Sequence, residues 1–420
     1  MTEKLLQFIW KNRYFSQQGL ELTTGEQLII DYPGEENKSQ GPDFIYARIR
    51  INGNTWIGSI ELHLQSSGWN KHCHSEDPNY RNVILHVVWK QDRPDKNEKI
   101  PLLELFHRIS RLMLETYARW MQKPRFIPCE GYVAKTDIAL LETWASRILL
   151  VRLNRKMYRI LDSLRLNHFH WEEQLWWMIA FNFGNPVNSS AFETVAKSIP
   201  YSLLAKHRQH FIQLEALFMG QANLLDGNFK DPYPIMLKKE YDFLKRKYAL
   251  KKIYEPVHFL RMRPENFPCI RLSQLASFCT ENMSLFSWIL SCSSLRDLRK
   301  KFMVRANDYW HDHYVFEKKS PFRIKMIGSQ TCDNLIINSI IPLLFTYGKT
   351  TPDPASLKKS LSWLEQMPVE HNHYMTGWSQ LGISVKKAAG SQALIELKKQ
   401  FCDQRRCLEC DIGRNLLKPQ

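Results

Sequence analysis

The chain has 420 residues, of which 44% are apolar and 24% are charged. This composition is ordinary for globular proteins and excludes wholesale disorder, and the length predicts two or three domains. The formal net charge of +16 predicts a polyanionic partner, either nucleic acid or an anionic membrane surface, with a generically basic protein as the alternative.

The first 110 residues alternate a helix with several strands. Their apolar patterns and turn residues predict a small mixed sheet, and the fold class is therefore α+β. The predicted elements are a helix in EKLLQFIWKNRYF (3–15), a strand in EQLIIDYPG (26–34), a hairpin from residues 43–51 and 55–64, a buried strand in VILHVVW (83–89) and a further strand in IPLLELF (100–106).

From about residue 108 onwards, apolar residues recur at three-to-four spacing, which predicts helices. We therefore expect an α/β core over residues 1–110 and a mainly α-helical domain, possibly of two lobes, over residues 111–420. Basic clusters with interspersed aromatics suit phosphate neutralisation and base stacking, although each alone is typical of a solvated helix face. They lie at residues 237–252, 261–271, 295–305 and 397–401, the last followed by Arg405 and Arg406.

The hairpin brings acids towards one another. A two-residue turn at Asn52–Gly53 fixes the pairing and places Glu61 and His63 together on the face opposite the main apolar set. The same pairing puts Asp43 opposite Leu62, nominally on the core face. Because Asp43 begins its strand, we expect a bulge or twist there to turn it towards Glu61.

Two neighbouring carboxylates repel, so they become protonated or bind a cation. Hard cations such as Mg²⁺ take carboxylate oxygens and can activate water against a phosphodiester. An adjacent His63 could hold phosphate or shuttle a proton. The alternative is that Asp43 caps a turn and Glu61 faces solvent.

Pro42-Asp43, followed by Glu61-Leu62-His63 after a hairpin, resembles the PD-(D/E)xK nuclease superfamily, and the order of elements is similar to its restriction-endonuclease-like core. The resemblance implies that Asp43 and Glu61 bind Mg²⁺ or Mn²⁺. It also implies that His63 stands where that superfamily has a lysine, and it offers Glu3 as a further acid from the first helix.

The loop GWNKHCHSEDPNY (68–80) contains His72 and His74, followed by Glu76 and Asp77. A His-x-His pair with an acid could bind a transition metal. In the nuclease interpretation, His72 or His74 would contact phosphate or donate a proton at the rim of the same site. The alternative is a solvated polar loop. His86, inside VILHVVW, is expected to be a satisfied buried histidine.

Near the C-terminus, three cysteines follow a C-x4-C-x2-C spacing that suits zinc or an iron–sulfur cluster. They are Cys402, Cys407 and Cys410. A fourth ligand is needed, and the sequence leaves open Cys129, Cys269, Cys279, Cys292 and Cys332. The alternative is a helix end with reduced, partly buried thiols.

No secretion signal is recognisable in MTEKLLQFIWKN, and no stretch of about 18 apolar residues predicts a transmembrane helix. We therefore expect no membrane partner, a cytoplasmic location and reduced thiols. A P-loop and a dinucleotide-binding glycine motif are absent, so no nucleotide cofactor is expected. The oligomeric state stays open.

Over nearly its full length the chain also resembles a large uncharacterised bacterial family. The stretches that carry this resemblance are GPDF (41–44), IELH (60–63), HVVW (86–89), ENFPCIRLSQLA (265–276), NSIIPLLFTYG (338–348) and CLECDIG (407–413). The sequence thus predicts a metal-dependent nuclease that grips DNA or RNA with its helical region. The alternatives are a catalytically degenerate nucleic-acid-binding or scaffold protein and a helical protein-interaction module.

Overall fold

The computed structural model describes residues 1–37, 40–72, 74–93, 100–122, 125–260, 262–282 and 284–418. The chain forms two compact units, the first from Met1–Trp144 with Leu397–Gln420 and the second from Ala145–Glu396. The boundary predicted near residue 110 falls inside the first unit, which also includes the C-terminal cysteines.

The N-terminal elements follow the predicted order of a helix, three main strands, a short helical connection and further strands. Their bounds are α1 (Glu3–Asn12), β1 (Leu28–Tyr32), β2 (Glu35–Glu36), β3 (Phe44–Ile51), β4 (Asn54–Gln65), α2 (Gly68–Lys71), a 3₁₀ turn (Pro78–Tyr80), β5 (Val83–Lys90), β6 (Leu102–Glu104) and α3 (Arg111–Gln122).

The rest of the chain is helical, as predicted, apart from one short hairpin. The α-helices are α4 (Ile138–Leu166), α5 (Trp171–Phe183), α6 (Asn185–Ser198), α7 (Tyr201–His207), α8 (Phe211–Gln221), α9 (Pro232–Lys247), α10 (Pro268–Glu281), α11 (Leu285–Ser291), α12 (Leu295–Phe302), α13 (Ser329–Leu335), α14 (Ile341–Thr350), α15 (Pro354–Gln366), α16 (His373–Gln380), α17 (Ala388–Leu397) and α18 (Asp411–Leu417). The hairpin pairs β7 (His313–Val315) with β8 (Lys318–Lys319). The 3₁₀ turns are Val133–Lys135, Pro264–Asn266, Asp308–His311 and Cys407–Glu409, and the π-helical segments are Ile336–Ile340 and Lys398–Cys402.

The first unit is built on a mixed sheet, which agrees with the predicted α+β class. Its strands lie in the order β1-β3-β4-β5-β6, and β2 pairs with β3. The pairs β1–β3 and β3–β4 are antiparallel, whereas β4–β5 and β5–β6 are parallel. Parallel neighbouring strands such as β4 and β5 need a crossover connection. Residues 66–82 form this crossover, which leaves the sheet after β4, passes over one end of β4 and returns at β5.

The hairpin register is the one that the Asn-Gly turn predicts, but only part of the way along β3. Strands β3 and β4 pair regularly from Ile51–Asn54 to Ala47–Gly58, and the next pair is Phe44–Ile60. Ile45 and Tyr46 therefore share one partner position, and Tyr46 adopts a left-handed backbone with φ of 59°. This arrangement is a β-bulge, and it changes which face the start of β3 presents.

Helix α1 packs its apolar face against this sheet. The Thr2 side chain accepts a hydrogen bond from the backbone of Leu5 at 3.2 Å, which caps the helix, and Arg13 ends it in a left-handed conformation. Trp10 is fully buried and donates its indole N–H to the carbonyl of Pro33 at 2.9 Å. These contacts fix the helix so that the side chain of Gln7 points towards the start of β3.

A buried charge cluster helps to hold the second unit together. The carboxylate of Glu396 is fully buried and accepts hydrogen bonds from Arg152 at 3.1 Å and from Arg155 at 2.6 and 2.7 Å. Arg152 is itself buried and also donates to Gln392 at 2.6 Å. Burying a carboxylate is tolerable here because two guanidinium groups compensate its charge.

The basic clusters are divided between surface and interior. Lysines of α9 and α12 lie on exposed faces, where Lys301 stacks over the ring of Trp288 at 4.8 Å. Arg271, in contrast, is buried and donates to Gln274 at 3.0 Å, so it stabilises the fold and cannot contact a partner. Arg261 lies outside the described residues. In the described part of the chain, no helix is both long and apolar enough to cross a bilayer.

Candidate metal centre

The bulge in β3 turns Asp43 towards Glu61, which is the distortion expected for the start of this strand. The backbone N–H of Asp43 donates to Glu61 Oε2 at 3.0 Å, and the backbone N–H of Leu62 donates to Asp43 Oδ2 at 3.0 Å. The remaining oxygen of Asp43 accepts from the Gln7 side chain of α1 at 2.8 Å. The two acids therefore lock each other in place, and Glu61 Oε1 is directed away from these bonds.

Glu61 Oε1 faces two buried imidazoles. The Nε2 atom of His74 lies 3.3 Å from this oxygen, and the Nε2 atom of His63 lies 3.6 Å from it. Among the described residues, neither nitrogen has a hydrogen-bond partner, although both are buried. Buried polar atoms are ordinarily hydrogen-bonded. Two buried nitrogens without such partners that point at one carboxylate oxygen form the arrangement expected of metal ligands.

His72 joins this group from the exposed side. One ligand nitrogen from each of His63, His72 and His74 lies within 4.8 Å of the others. Of the two loop histidines, His72 is exposed, as the alternative of a solvated polar loop predicts, whereas His74 is buried. Glu61 is also buried, which excludes the alternative that it faces solvent.

A fourth histidine, His86, orients the ring of His63. His86 is paired with Glu61 across the parallel strands β4 and β5, and its Nε2 lies 2.9 Å from His63 Nδ1. If His63 keeps its Nε2 lone pair for a ligand, its Nδ1–H donates to His86. His86 is therefore the satisfied buried histidine that the sequence predicts, and it also fixes the ring orientation of His63.

Aromatic residues of the crossover cover the imidazoles. Tyr80 stacks on His74 with ring centroids 3.8 Å apart, and buried Trp69 packs edge-on against the same ring at 5.4 Å. Gly68 lies directly against His63, because a Cβ at this position would come within 2.8 Å of the imidazole ring. The crossover can approach β4 this closely only with glycine at position 68.

Burial shifts the protonation equilibria of the acids and of the imidazoles in opposite directions. Burial, together with the charge of Asp43, raises the pKa of Glu61 to about 8. Burial raises the pKa of Asp43 to about 6, although the hydrogen bonds to its oxygens oppose the rise. Burial and the neighbouring histidines lower the pKa of His63 to about 3, and burial likewise lowers the pKa of His74 and His86. Near neutral pH the imidazoles are therefore uncharged and keep their lone pairs.

Two imidazole nitrogens lie beside the Glu61 carboxylate, in addition to the two acids that the sequence predicts as ligands. Glu61 Oε1 and the Nε2 atoms of His63 and His74 form the converging face, and His72 stands at its rim. Imidazole nitrogen suits Zn²⁺ and later transition-metal cations, whereas Mg²⁺ and Mn²⁺ are suited to carboxylate oxygen. A neutral His63 also lacks the permanent charge of the lysine that stands at this position in the superfamily named above.

The contribution of three residues to the site could not be read from the sequence. Gln7 and Gly68 carry no chemistry of their own, and His86 sits in an apolar run typical of a core strand. The parallel pairing of β4 with β5 links His86 to the site, and no local signal reveals that pairing. Glu3, the additional acid suggested by resemblance, is exposed but close enough for its charge to raise the pKa of both Asp43 and Glu61.

The chain matches a family profile over most of its length. The profile of the family described as "Protein of unknown function (DUF2851)" matches residues 3–373. This chain belongs to the DUF2851 family. The match covers the strands, the histidine crossover and most of the helical region, and it confirms the resemblance to an uncharacterised family seen in the sequence. No curated protein and no solved structure matches the chain.

Proposed function

We propose that this DUF2851 protein is a metal-dependent phosphodiesterase that cleaves nucleic acid. The observation that carries the proposal is the convergence of two buried, unpartnered imidazole nitrogens on the Glu61 carboxylate. A divalent ion bound there would lower the pKa of a water ligand and neutralise charge developing on a phosphodiester.

The surrounding topology supports the choice of phosphodiester chemistry. The helix, three strands, crossover and further strand resemble the order of elements in the PD-(D/E)xK superfamily, with Asp43 immediately before β3 and Glu61 within β4. In this proposal Glu61, His63 and His74 hold the ion. Asp43 positions Glu61, and the exposed His72 completes the ligand set or contacts the phosphate.

The charge of the protein supports a polyanionic substrate. The net charge is +16, and the exposed basic faces of α9 and α12 provide lysines that can neutralise phosphates. A substrate held by such contacts binds with an affinity that falls steeply as salt is raised.

The test compares wild-type protein with Glu61→Gln and His74→Gln on labelled single-stranded and duplex DNA and RNA, with Mn²⁺, Zn²⁺ or Mg²⁺ supplied in turn. Glu115→Gln, an exposed change on α3, is the matched control. We expect metal-dependent cleavage that falls at least about a hundredfold in both site variants, because losing a direct ligand exceeds the 10–100-fold effect of second-shell changes. Equal cleavage by all four proteins would refute the proposal.

The same experiment separates the two other candidate functions. Salt-sensitive nucleic-acid binding without cleavage by the wild-type protein would favour a degenerate nuclease-like binding or scaffold protein. Absence of both binding and cleavage would favour a helical protein-interaction module.

A further inference from the structure

The cysteines near the C-terminus have a fourth partner in the first unit. Two ring contacts bring the C-terminal segment against the chain that follows α3. Lys398 lies over the ring of Phe126 at 5.1 Å, and Phe401 packs against Trp144 at 5.6 Å. The first contact joins the neighbourhoods of Cys129 and Cys402, which are 273 positions apart in the chain (402 − 129).

Four thiols therefore belong to one neighbourhood, which we call the thiol site. Its members are Cys129, Cys402, Cys407 and Cys410. The thiols also interact electrostatically, which agrees with the ring contacts between their segments. Besides burial, the charges of Cys410 and Cys407 raise the pKa of Cys129, and those of Cys129, Cys410 and Cys407 raise the pKa of Cys402.

The last two cysteines lie on a compact loop. The backbone N–H of Cys410 donates to the carbonyl of Cys407 at 3.3 Å, and the backbone of Ile412 and Gly413 hydrogen-bonds to the Cys410 sulfur. A Cβ at Gly413 would come within 2.3 Å of the Cys407 carbonyl oxygen, so the loop closes only with glycine there. Burial raises the pKa of the Cys410 thiol, and these backbone N–H groups oppose that rise.

The structure also resolves the choice among the candidate fourth ligands. Cys269, Cys279, Cys292 and Cys332 all lie in the second unit, whereas Cys129 lies with the other three in the first. Cys129, Cys407 and Cys410 are buried, and Cys402 is half-buried. In buried surroundings four thiolates repel one another, and a cationic group bound by all four would relieve that repulsion.

The spacing of the sulfurs indicates the kind of group. Among the described residues, the sulfurs of the thiol site do not form a group whose ligand atoms all lie within 4.8 Å of one another. A tetrahedral zinc ion with bonds of about 2.3 Å holds its sulfurs about 4 Å apart. A cubane iron–sulfur cluster holds its four cysteine sulfurs on the order of 6 Å apart.

We propose that Cys129, Cys402, Cys407 and Cys410 bind an iron–sulfur cluster through their four thiolates. Such a cluster would tie the segment after α3 to the C-terminal segment of the first unit, at a site built from residues other than those of the candidate metal centre. This proposal is independent of the phosphodiesterase proposal, since the two sites share no residue.

The test is purification of the full chain without oxygen, followed by visible absorption and by analysis of iron, acid-labile sulfide and zinc. We expect a broad absorption near about 400 nm with about four iron and four sulfide per chain. Cys129→Ser and Cys407→Ser should each lose most of both. Cys332→Ser, a buried cysteine of the second unit, and Glu61→Gln should keep them, and far-UV circular dichroism should show that every variant is folded.

Labile sulfide distinguishes the cluster from iron bound by the histidines. Wild-type protein that lacks iron and sulfide even after anaerobic reconstitution would refute the proposal. So would one zinc per chain that is lost in Cys129→Ser, or an iron–sulfur cluster that survives in that variant.

Discussion

The affinity of the candidate centre for a divalent ion should depend steeply on pH, because the carboxyl of Glu61 must lose its proton to become a ligand. Its pKa is raised to about 8, chiefly by burial and then by the charge of Asp43. The ionised fraction of Glu61 is then about one half at pH 8 and about one hundredth at pH 6. The affinity for Mn²⁺ should therefore fall about fiftyfold between these pH values.

The histidine ligands add little to this change. The pKa of His63 is lowered to about 3 and that of His74 is also lowered, so neither carries a proton that an ion must displace near neutral pH. A histidine with an ordinary pKa of about 6.5 would instead reduce the affinity only about fourfold between pH 8 and pH 6. The size of the effect thus identifies the titrating ligand.

Isothermal titration calorimetry with Mn²⁺ at pH 6, 7 and 8 measures both the affinity and the proton release. At pH 7 about 0.9 proton should leave per ion bound, as judged from two buffers of different ionisation enthalpy. Glu61→Gln should bind weakly and release no proton, whereas Glu115→Gln should match the wild type. A wild-type change below about fivefold, or a steep pH dependence that persists in Glu61→Gln, would refute the reasoning.

Three further outcomes follow from the structure. Gly68→Ala should displace the ring of His63 and weaken Mn²⁺ binding by about 10–100-fold in calorimetry, whereas Gly328→Ala, whose added Cβ meets open space, should not. Glu396→Gln should lower the free energy of unfolding in urea by about 3 kcal/mol, because it leaves a buried guanidinium without its charge partner; an unchanged midpoint would contradict this. The free energy of unfolding of the metal-free protein should fall by about 1–2 kcal/mol between pH 6.5 and 8. Folded Glu61, with a pKa of about 8, keeps a proton that the unfolded chain, with a pKa of 4.5, has released. This fall should therefore be absent in Glu61→Gln. Below pH 6.5 the lowered pKa of His63 acts in the opposite sense, since the unfolded imidazole binds a proton that the folded one refuses.

Local sequence signals were sufficient for most of the sheet. The Asn52–Gly53 turn fixed the hairpin register, and period-two patterning placed Glu61 and His63 on one face. The bulge could not be located, because Ile45 and Tyr46 include no glycine or proline to mark it. Its position depends on the packing of neighbouring strands, which sequence alone does not supply.

Tertiary pairing decided what the sequence left open. His86 reads as a core residue until β5 is known to lie parallel to β4, beside Glu61. In the same way, C-x4-C-x2-C groups three candidate ligands, but Cys129 lies near them only because distant parts of the first unit fold together. Residues that act through long-range contacts leave no local periodicity for sequence analysis to detect.

The bulge at Tyr46 has a consequence for mutational tolerance along β3. From Ala47 to Ile51 the odd-numbered positions are buried, whereas before the bulge the buried position is the even-numbered Phe44. A saturation scan should therefore show sensitivity at odd positions that switches phase at Tyr46. Sensitivity at Asp43 would then indicate a functional constraint, because the residue buried by packing at this end of the strand is its neighbour Phe44.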